Sequence, residues 1–204
     1  MSKVKICGLS REEDIVAVNR ALPDFIGFVF APSRRRVDFY TAAALKKMLD
    51  PRIRAVGVFV NQHVETVIEI FKSGIIDLVQ LHGDEDGAYI RRLKGSLGCQ
   101  VIKAVGVGAS LPDLPVDSDY LLFDTLSKQR GGTGRPFDWN ILNGYRGAPY
   151  FLSGGLSSEN AAAAIQALSP YCVDVSSGVE TGGVKDAGKI WDFVRIVRDF
   201  EKYT

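Results

Sequence analysis

The sequence lacks the apolar runs, the excess of one charge and the metal-ligand spacings that mark several large classes of protein. No apolar run reaches the roughly 18–20 residues that a membrane-spanning helix needs, so we expect no membrane partner. Lys and Arg number 25 against 24 Asp and Glu, which offers no broad basic surface for nucleic acid. With two histidines and three cysteines, no metal-ligand spacing forms, so we expect no metal.

The few cysteines also suggest a compartment. Cys7, Cys99 and Cys172 are odd in number and widely separated, which is typical of a chain that is not held together by disulfide bonds. The N-terminus passes directly into the strand-like residues 4–7, without the pattern of a signal peptide. We therefore expect a cytoplasmic protein.

The sequence does contain eight short and nearly all-apolar runs separated by amphipathic segments. Such runs are typical of parallel strands covered on both faces. They comprise residues 4–7, 25–30, 55–60, 78–81, 101–105, 120–123, 150–152 and 173–175. This pattern predicts one (β/α)8 barrel (TIM barrel) domain over residues 1–204. A doubly wound open sheet is the alternative, but its Gly-x-Gly-x-x-Gly turn is absent after the first predicted strand.

Amphipathic segments predict most of the connecting helices, at residues 11–22, 41–49, 64–73, 86–97, 158–168 and 187–202. The connection between the fifth and sixth strands differs, because residues 106–119 contain Pro112 and Pro115. Proline cannot donate an intrahelical hydrogen bond, so we expect a loop in place of this helix. Residues 127–134 read as an irregular loop or a lid, and a helix-like segment follows at 137–142.

Two glycine-bearing strand ends predict a phosphate site. Gly154 and Gly155 follow the seventh predicted strand, and Ser177 and Gly178 follow the eighth. Glycine lets backbone N–H groups approach an anion, and a helix beginning near Ser158 would add a partial positive charge. In (β/α)8 barrels the loops after strands 7 and 8 commonly bind phosphate. Each loop alone could be an ordinary tight turn, but two in succession favour phosphate.

Active-site residues of such barrels lie at the C-terminal ends of the strands. Cys7 ends the first strand beside a glycine, so we favour a functional thiol there, whereas Cys99 and Cys172 precede strands and are expected to be packing residues. Asp124 ends the sixth strand, where burial would raise its pKa and suit it to be a general acid. A structural cap for the following loop is the alternative role.

Other polar residues near strand ends leave their roles open. Lys103 could form a Schiff base or an ion pair in the barrel interior. The arginine run at residues 34–36 could be a solvated surface or could bind a carboxylate through two parallel hydrogen bonds.

Taken together, these motifs resemble the phosphoribosylanthranilate isomerase family. The matching segments follow the family order over essentially the whole chain, at residues 5–8, 27–30, 33–35, 56–61, 79–83, 122–125, 131–134, 137–139, 152–156 and 173–180. The resemblance implies an Amadori rearrangement of N-(5'-phosphoribosyl)anthranilate to 1-(o-carboxyphenylamino)-1-deoxyribulose 5-phosphate, a step of tryptophan biosynthesis that uses no cofactor.

The resemblance also assigns roles to residues. Asp124 would be the general acid that protonates the furanose ring oxygen, and Cys7 the general base that removes the C2' proton. Arg35 would bind the anthranilate carboxylate, and His82 and Asp174 would contact the substrate. The phosphate would lie at Gly154, Gly155, Ser177 and Gly178. The partner is then a small sugar phosphate, and we expect a monomer with a homodimer as the alternative.

Rival functions remain on the same fold. An enzyme similar to indoleglycerol-phosphate synthase would be expected to carry an N-terminal extension and catalytic lysine and glutamate residues. A metal-dependent epimerase would need histidine and aspartate ligands that are missing. A non-catalytic barrel that binds a phosphorylated ligand would not need the pair Cys7 and Asp124.

Overall fold

A barrel of eight parallel strands forms the centre of the molecule. The computed structural model describes residues 2–114, 117–126 and 137–200. The strands are β1 (Lys3–Cys7), β2 (Phe25–Val29), β3 (Arg54–Phe59), β4 (Leu78–Leu81), β5 (Val101–Val107), β6 (Tyr120–Thr125), β7 (Tyr150–Leu152) and β8 (Cys172–Val175). They pair in sequence order, and β8 closes the barrel by pairing with β1. The (β/α)8 prediction is confirmed.

Helices follow most of the strands, as expected. They are α1 (Glu12–Ala21), α2 (Phe39–Met48), α3 (Val64–Lys72), α4 (Gly87–Leu97), α5 (Ala161–Leu168) and α6 (Ala187–Phe200). Between β5 and β6, the described residues 108–114 and 117–119 contain no helix. The expected loop therefore stands in the place of the fifth crossover helix. No helix within the described ranges is long and apolar enough to cross a membrane.

Three local predictions differ from the structure. Helix α5 begins at Ala161 rather than at Ser158, because residues 158–160 form a turn before it. The helix-like segment at 137–142 contains a short 3-10 helix at Trp139–Leu142. A hairpin of two short strands, β9 (Glu180–Thr181) and β10 (Val184–Lys185), follows β8 and was not predicted. The expected lid at 127–134 lies outside the described residues.

Alternation along the strands decides which side chains enter the barrel. An inner apolar cluster fills the interior and consists of Phe25, Val56, Leu78, Ile102, Leu122, Phe151 and Cys172. Val4 and Ile6 of β1 belong instead to the outer core under the helices. Because neighbours on a strand face opposite ways, Lys5 and Cys7 face into the barrel together.

Candidate active site

Polar side chains replace the apolar interior at the C-terminal end of the barrel. Because side chains alternate along each strand, the polar side chains that face into the barrel are Lys5, Cys7, Gln80, His82, Asp124 and Asp174. All except His82 are buried. The structure therefore brings Cys7, His82, Asp124 and Asp174, which the sequence singled out, to one end of the barrel.

The Cys7 thiol occupies space that Gly27 leaves open. The two residues are paired across β1 and β2, and a Cβ at position 27 would lie 2.7 Å from Cys7 Sγ. Burial raises the pKa of the thiol. The adjacent Lys5 ammonium opposes that rise through its charge and a hydrogen bond to Cys7. The thiol is thus held in a tight pocket with a cation at its side.

A buried ion pair lies behind the thiol. Lys5 Nζ donates to Asp174 Oδ2 at 2.8 Å, and both side chains are almost completely buried. Burial lowers the pKa of Lys5, but the charges of Asp174 and Cys7 outweigh it and raise the pKa overall. Lys5 therefore stays protonated. Burial likewise raises the pKa of Asp174, and Lys5 offsets part of that rise.

Asp124 stands at the end of β6 with different neighbours. Its Oδ1 accepts from the backbone N–H of Thr125 at 2.8 Å. Its Oδ2 lies 3.5 Å from His82 Nε2. On the other side of the imidazole, Gln80 Nε2 lies 2.9 Å from His82 Nδ1. Within the described part of the chain, no lysine or arginine is paired with Asp124.

Arg35 is the member of the arginine run that lies against the barrel mouth. A Cβ on Gly8, the residue after Cys7, would lie 2.4 Å from Arg35 Cδ. Arg35 binds Glu180 with two hydrogen bonds, Nε to Oε1 at 2.6 Å and Nη2 to Oε2 at 3.0 Å. Arg34 is more exposed, and its Nη2 donates to Glu180 Oε2 at 2.7 Å. Arg36 is exposed.

The unpredicted hairpin completes the surroundings of Cys7. Lys185 Nζ donates to the Ser176 carbonyl at 2.7 Å and to Glu180 Oε1 at 2.9 Å. Ser176 Oγ in turn donates to the carbonyl of Cys7 at 3.0 Å. Burial lowers the pKa of Lys185, while Glu180 and Cys7 oppose the change. The hairpin therefore adds a second buried lysine near the thiol.

The loops after β7 and β8 touch each other. A Cβ on Gly178 would lie 2.0 Å from the Leu156 carbonyl oxygen, so only glycine permits this approach. Gly154 and Gly155 have φ values of 86° and 69°, the left-handed region that favours glycine. Their N–H groups donate to no group of the described residues. The predicted phosphate site would use these two N–H groups as donors. They belong to the loop after β7, which touches the loop after β8 that contains Ser177 and Gly178.

Lys103 faces away from the barrel interior. Its neighbour Ile102 belongs to the inner cluster, so Lys103 points to the outer side of β5. It binds the Gly83 carbonyl at 2.6 Å and Glu85 Oε2 at 3.0 Å. Glu85 also accepts from the backbone N–H of Asn61 at 2.7 Å. Of the two predicted roles, the ion pair fits, although it lies outside the barrel interior.

No metal-binding group stands out in the described ranges, where no three His, Cys, Asp or Glu side chains are placed to hold an ion. Sequence reasoning missed Gln80, Glu180 and Lys185. Gln80 carried a usable signal, because it lies two residues before His82 on the same strand face. Lys185 carried none, since a two-residue strand has no periodicity.

Comparison with known proteins places this site in a family. A family model described as N-(5'phosphoribosyl)anthranilate (PRA) isomerase matches residues 4–196. The N-(5'-phosphoribosyl)anthranilate isomerase of Endomicrobium trichonymphae is 50% identical over 199 residues, which cover 97% of this chain and 99% of that protein.

Two solved structures support the same assignment. A phosphoribosyl anthranilate isomerase in complex with reduced 1-(o-carboxyphenylamino)-1-deoxyribulose 5-phosphate has a TM-score of 0.83 and 34% identity, covering 98% of this chain and 100% of that one. Monomers of the dimeric enzyme of Thermotoga maritima give a TM-score of 0.81 and 33% identity, covering 97% of this chain and 99% of that one. The chain therefore belongs to the N-(5'-phosphoribosyl)anthranilate isomerase family, and it is an isomerase of tryptophan biosynthesis.

Proposed function

We propose that Asp124 and Cys7 perform the two proton transfers of the Amadori rearrangement. Asp124 protonates the furanose ring oxygen, and the C1'–O bond breaks to give an open-chain Schiff base. The Cys7 thiolate then takes the proton from C2', and the electron pair of that C–H bond forms the enolamine. Tautomerisation of the enolamine gives the ketose. The observation that carries this proposal is that the Cys7 thiol and the Asp124 carboxyl group lie at the same end of the barrel, each with its own set of partners.

The surroundings of Cys7 suit a base that must be a thiolate when it takes the proton. Burial raises the pKa of the free thiol, and Lys5 opposes this. Ring opening adds another cation, because the protonated Schiff base is positive next to C2'. An opposite charge nearby favours a thiolate. A larger fraction of Cys7 is therefore ionised at the step in which the thiolate takes the proton.

The surroundings of Asp124 suit an acid that delivers its proton and is left as a carboxylate. The described partners of Asp124 are a backbone N–H and the imidazole of His82. Both can stabilise the carboxylate that forms after the proton has left.

The remaining predicted residues would anchor the substrate. Among the described residues Arg35 uses Nε and Nη2 on Glu180, which leaves its Nη1 edge for the anthranilate carboxylate. Asp174 has one buried oxygen without a described partner, which supports a hydrogen bond from a sugar hydroxyl. His82, whose Nε2 lies 3.5 Å from Asp124 Oδ2, would contact the same sugar.

The 5'-phosphate would bind between the loops after β7 and β8. The N–H groups of Gly154 and Gly155 supply donors, and positive-φ backbone turns of this kind are suited to anions. The side chain of Asn160 braces the first loop, since it accepts from Ser157 N and donates to the Gly155 carbonyl, both at 2.9 Å. Helix α5 begins beyond this brace, so its dipole acts from a greater distance than the sequence predicted.

The function is tested by product formation from freshly prepared N-(5'-phosphoribosyl)anthranilate. Cys7→Ala should lower kcat by about 10²–10⁴-fold, the usual scale of proton-transfer catalysis, without loss of the fold. Cys99→Ala is the matched control, because Cys99 is buried at the N-terminal end of β5, and its kcat should stay near the parent value. Equal losses in the two variants would assign Cys7 to packing and exclude it as the base.

We further propose that the chain works as one domain in the cytoplasm and as a monomer, without a cofactor. The barrel closure of the first strand on the last supports a single domain. The dimeric relative from Thermotoga maritima makes a homodimer the alternative, and sedimentation of the purified enzyme at two concentrations distinguishes them.

A further inference from the structure

Gln80 is a buried amide that its surroundings do not fully satisfy. It lies in β4, faces the barrel interior and is 1% exposed. Its Oε1 is buried and has no partner among the described residues. An unpaired buried acceptor destabilises the fold, which an apolar side chain at the same position would avoid. The benefit of an amide here must therefore come from its other end.

That other end reaches His82. Gln80 Nε2 lies 2.9 Å from His82 Nδ1. An amide NH2 group can only donate, so with Nε2 placed against the ring Nδ1 accepts and does not carry the proton of a neutral imidazole. The proton then lies on Nε2. The partner of one ring nitrogen thus fixes the tautomer of the ring.

The protonated nitrogen faces the acid. His82 Nε2 lies 3.5 Å from Asp124 Oδ2, while Asp124 Oδ1 already accepts from Thr125 N–H. Catalytic hydrogen bonds are often long without substrate and shorten in the complex. An N–H directed at Oδ2 is worth most after Asp124 has given up its proton, because hydrogen bonds to a charged acceptor are the stronger kind.

We propose that Gln80 is a positioning residue for the proton-transfer step at Asp124. It holds His82 in the Nε2–H tautomer and directs this N–H toward Oδ2, where it stabilises the carboxylate formed on ring opening. The inference rests on the proposed role of Asp124 as the acid. Gln80 itself is buried, so it acts through His82.

Two substitutions separate tautomer control from packing. Gln80→Met keeps the length of the side chain and removes the donor. Gln80→Glu keeps the shape but places an acceptor opposite Nδ1, which favours Nδ1–H in place of the arrangement that the amide NH2 group imposes. Gln100→Met is the matched control, because Gln100 lies at the opposite end of the barrel, where it bonds to Tyr120 and Arg54.

The kinetic expectation is a loss in kcat with little change in KM. Gln80→Met should lower kcat about 10- to 100-fold, the range found when the partner that orients a metal-ligating histidine is removed. Gln100→Met should keep the parent kcat. A Gln80→Met variant with parental kcat would overturn the proposal.

The tautomer is read directly by 15N NMR of the histidine rings. The chain has two histidines, so His63 serves as a reference within each spectrum. His82 should show a protonated Nε2 in the parent, a shift toward protonated Nδ1 in Gln80→Glu, and a mixture in Gln80→Met. A protonated Nδ1 in the parent, or ring signals that do not respond to either substitution, would also overturn it.

Failure of this inference is distinguishable from failure of the proposed acid. If Asp124→Asn keeps its activity, Asp124 is not the acid, and the tautomer result still stands as a structural fact. If Asp124→Asn is inactive while the Gln80 variants keep both kcat and the parental tautomer, the acid role holds and the positioning role of Gln80 is wrong.

Discussion

The two halves of the site differ in the charged and polar groups that surround their reacting side chains. The base half, on β1 and β8, holds Cys7 beside the buried Lys5–Asp174 pair, with Lys185 nearby. The acid half, on β4 and β6, surrounds Asp124 with an imidazole, a backbone N–H and, one step away, a neutral amide. Among the described residues, two lysines therefore lie near the thiol that must act as an anion, whereas no lysine or arginine is paired with the carboxyl group that must deliver a proton.

This difference shows why both groups can work in one small chamber. The charge of Lys5 is largely satisfied by Asp174 at 2.8 Å. The pair thus supplies a local field at Cys7 while its net charge is near zero at longer range. An unpaired lysine at the same place would also favour ionisation of Asp124 across the barrel.

Removing the acid is the most severe way to break the acid half. Asp124→Asn keeps the shape of the side chain but cannot deliver its proton, so kcat should fall by about 10²–10⁴-fold or more. Binding of a product analogue should remain, and calorimetry measures it separately from turnover. Asp113→Asn, on the exposed connection after β5, is the control. Near-normal turnover in Asp124→Asn would exclude this residue as the acid.

Removing the cation is the corresponding test of the base half. Without Lys5, burial of Cys7 is opposed only by the more weakly acting Lys185, so the pKa of the thiol rises further. In Lys5→Met we expect kcat/KM at neutral pH to fall about 10-fold or more, since each pKa unit is a factor of ten. The loss should shrink as the pH is raised, because the thiolate is recovered there. A pH profile of kcat/KM measures this shift.

Two controls keep that test clean. Lys3→Met changes the other inward-facing lysine of β1, whose ammonium lies over the rings of Phe25 and Tyr171 at the opposite end of the barrel. Its pH profile should match the parent. Lys5→Met alone leaves the buried Asp174 carboxylate without its counter-ion, which can destabilise the protein by about 3–5 kcal/mol. The double variant Lys5→Met/Asp174→Asn is therefore needed as well. An unshifted profile in both Lys5 variants would remove Lys5 from the activation of Cys7.

The loop after β7 lies against the acid half, since a Cβ on Gly154 would lie 3.0 Å from Asp124 Oδ1. Gly155→Ala should strain a positive-φ position and push a side chain toward the anion site. KM for the substrate and the inhibition constant of inorganic phosphate should rise in parallel, about 10-fold, the effect of losing one charge-assisted hydrogen bond. Gly144→Ala is the control, because Gly144 has a φ of 82° and open space around it. Independent changes in the two constants would place phosphate elsewhere.

The smallest effect is expected from substitutions in the arginine run at residues 34–36, on the base side of the site. Lysine cannot reproduce the two hydrogen bonds of Arg35 to Glu180 or present a planar edge to a carboxylate. Arg35→Lys should therefore raise KM several-fold, about as expected for a weakened charge-assisted pair. Arg34→Lys and Arg36→Lys should change KM less, because both side chains are more exposed. If Arg36→Lys is the most damaged variant, the assignment of the carboxylate contact moves by one residue.

Much of this arrangement could be predicted because strand ends are visible in a sequence. Apolar runs set the eight strands, and the residue ending each run falls at the open end of the barrel, as Cys7 and Asp124 do. The direction of a side chain was harder to predict where a strand is apolar throughout. Lys103 is such a case, since only the position of Ile102 in the inner cluster shows that it faces outward.

Partners that come from distant segments could not be predicted. Whether Lys5 reaches Cys7 depends on how far burial forces the ammonium toward Asp174, and no local pattern encodes that distance. Lys185 reaches the site through a hairpin of two-residue strands, too short for any periodic signal. The two hydrogen bonds of the Asn160 side chain, in the turn before α5, likewise depend on the closed shape of the loop.

The separation of the two halves along the chain has a consequence for synthesis of the protein. Residues of the acid half, Gln80, His82 and Asp124, lie within the middle of the chain, whereas Lys5 and Asp174 are 169 positions apart. Contacts at such long range form late, and a growing chain emerges from its N-terminus. Until β8 has left the ribosome and closed the barrel, Lys5 has no counter-ion and Cys7 has no finished pocket. All residues of the acid half are therefore synthesised before the chain contains the counter-ion of Lys5.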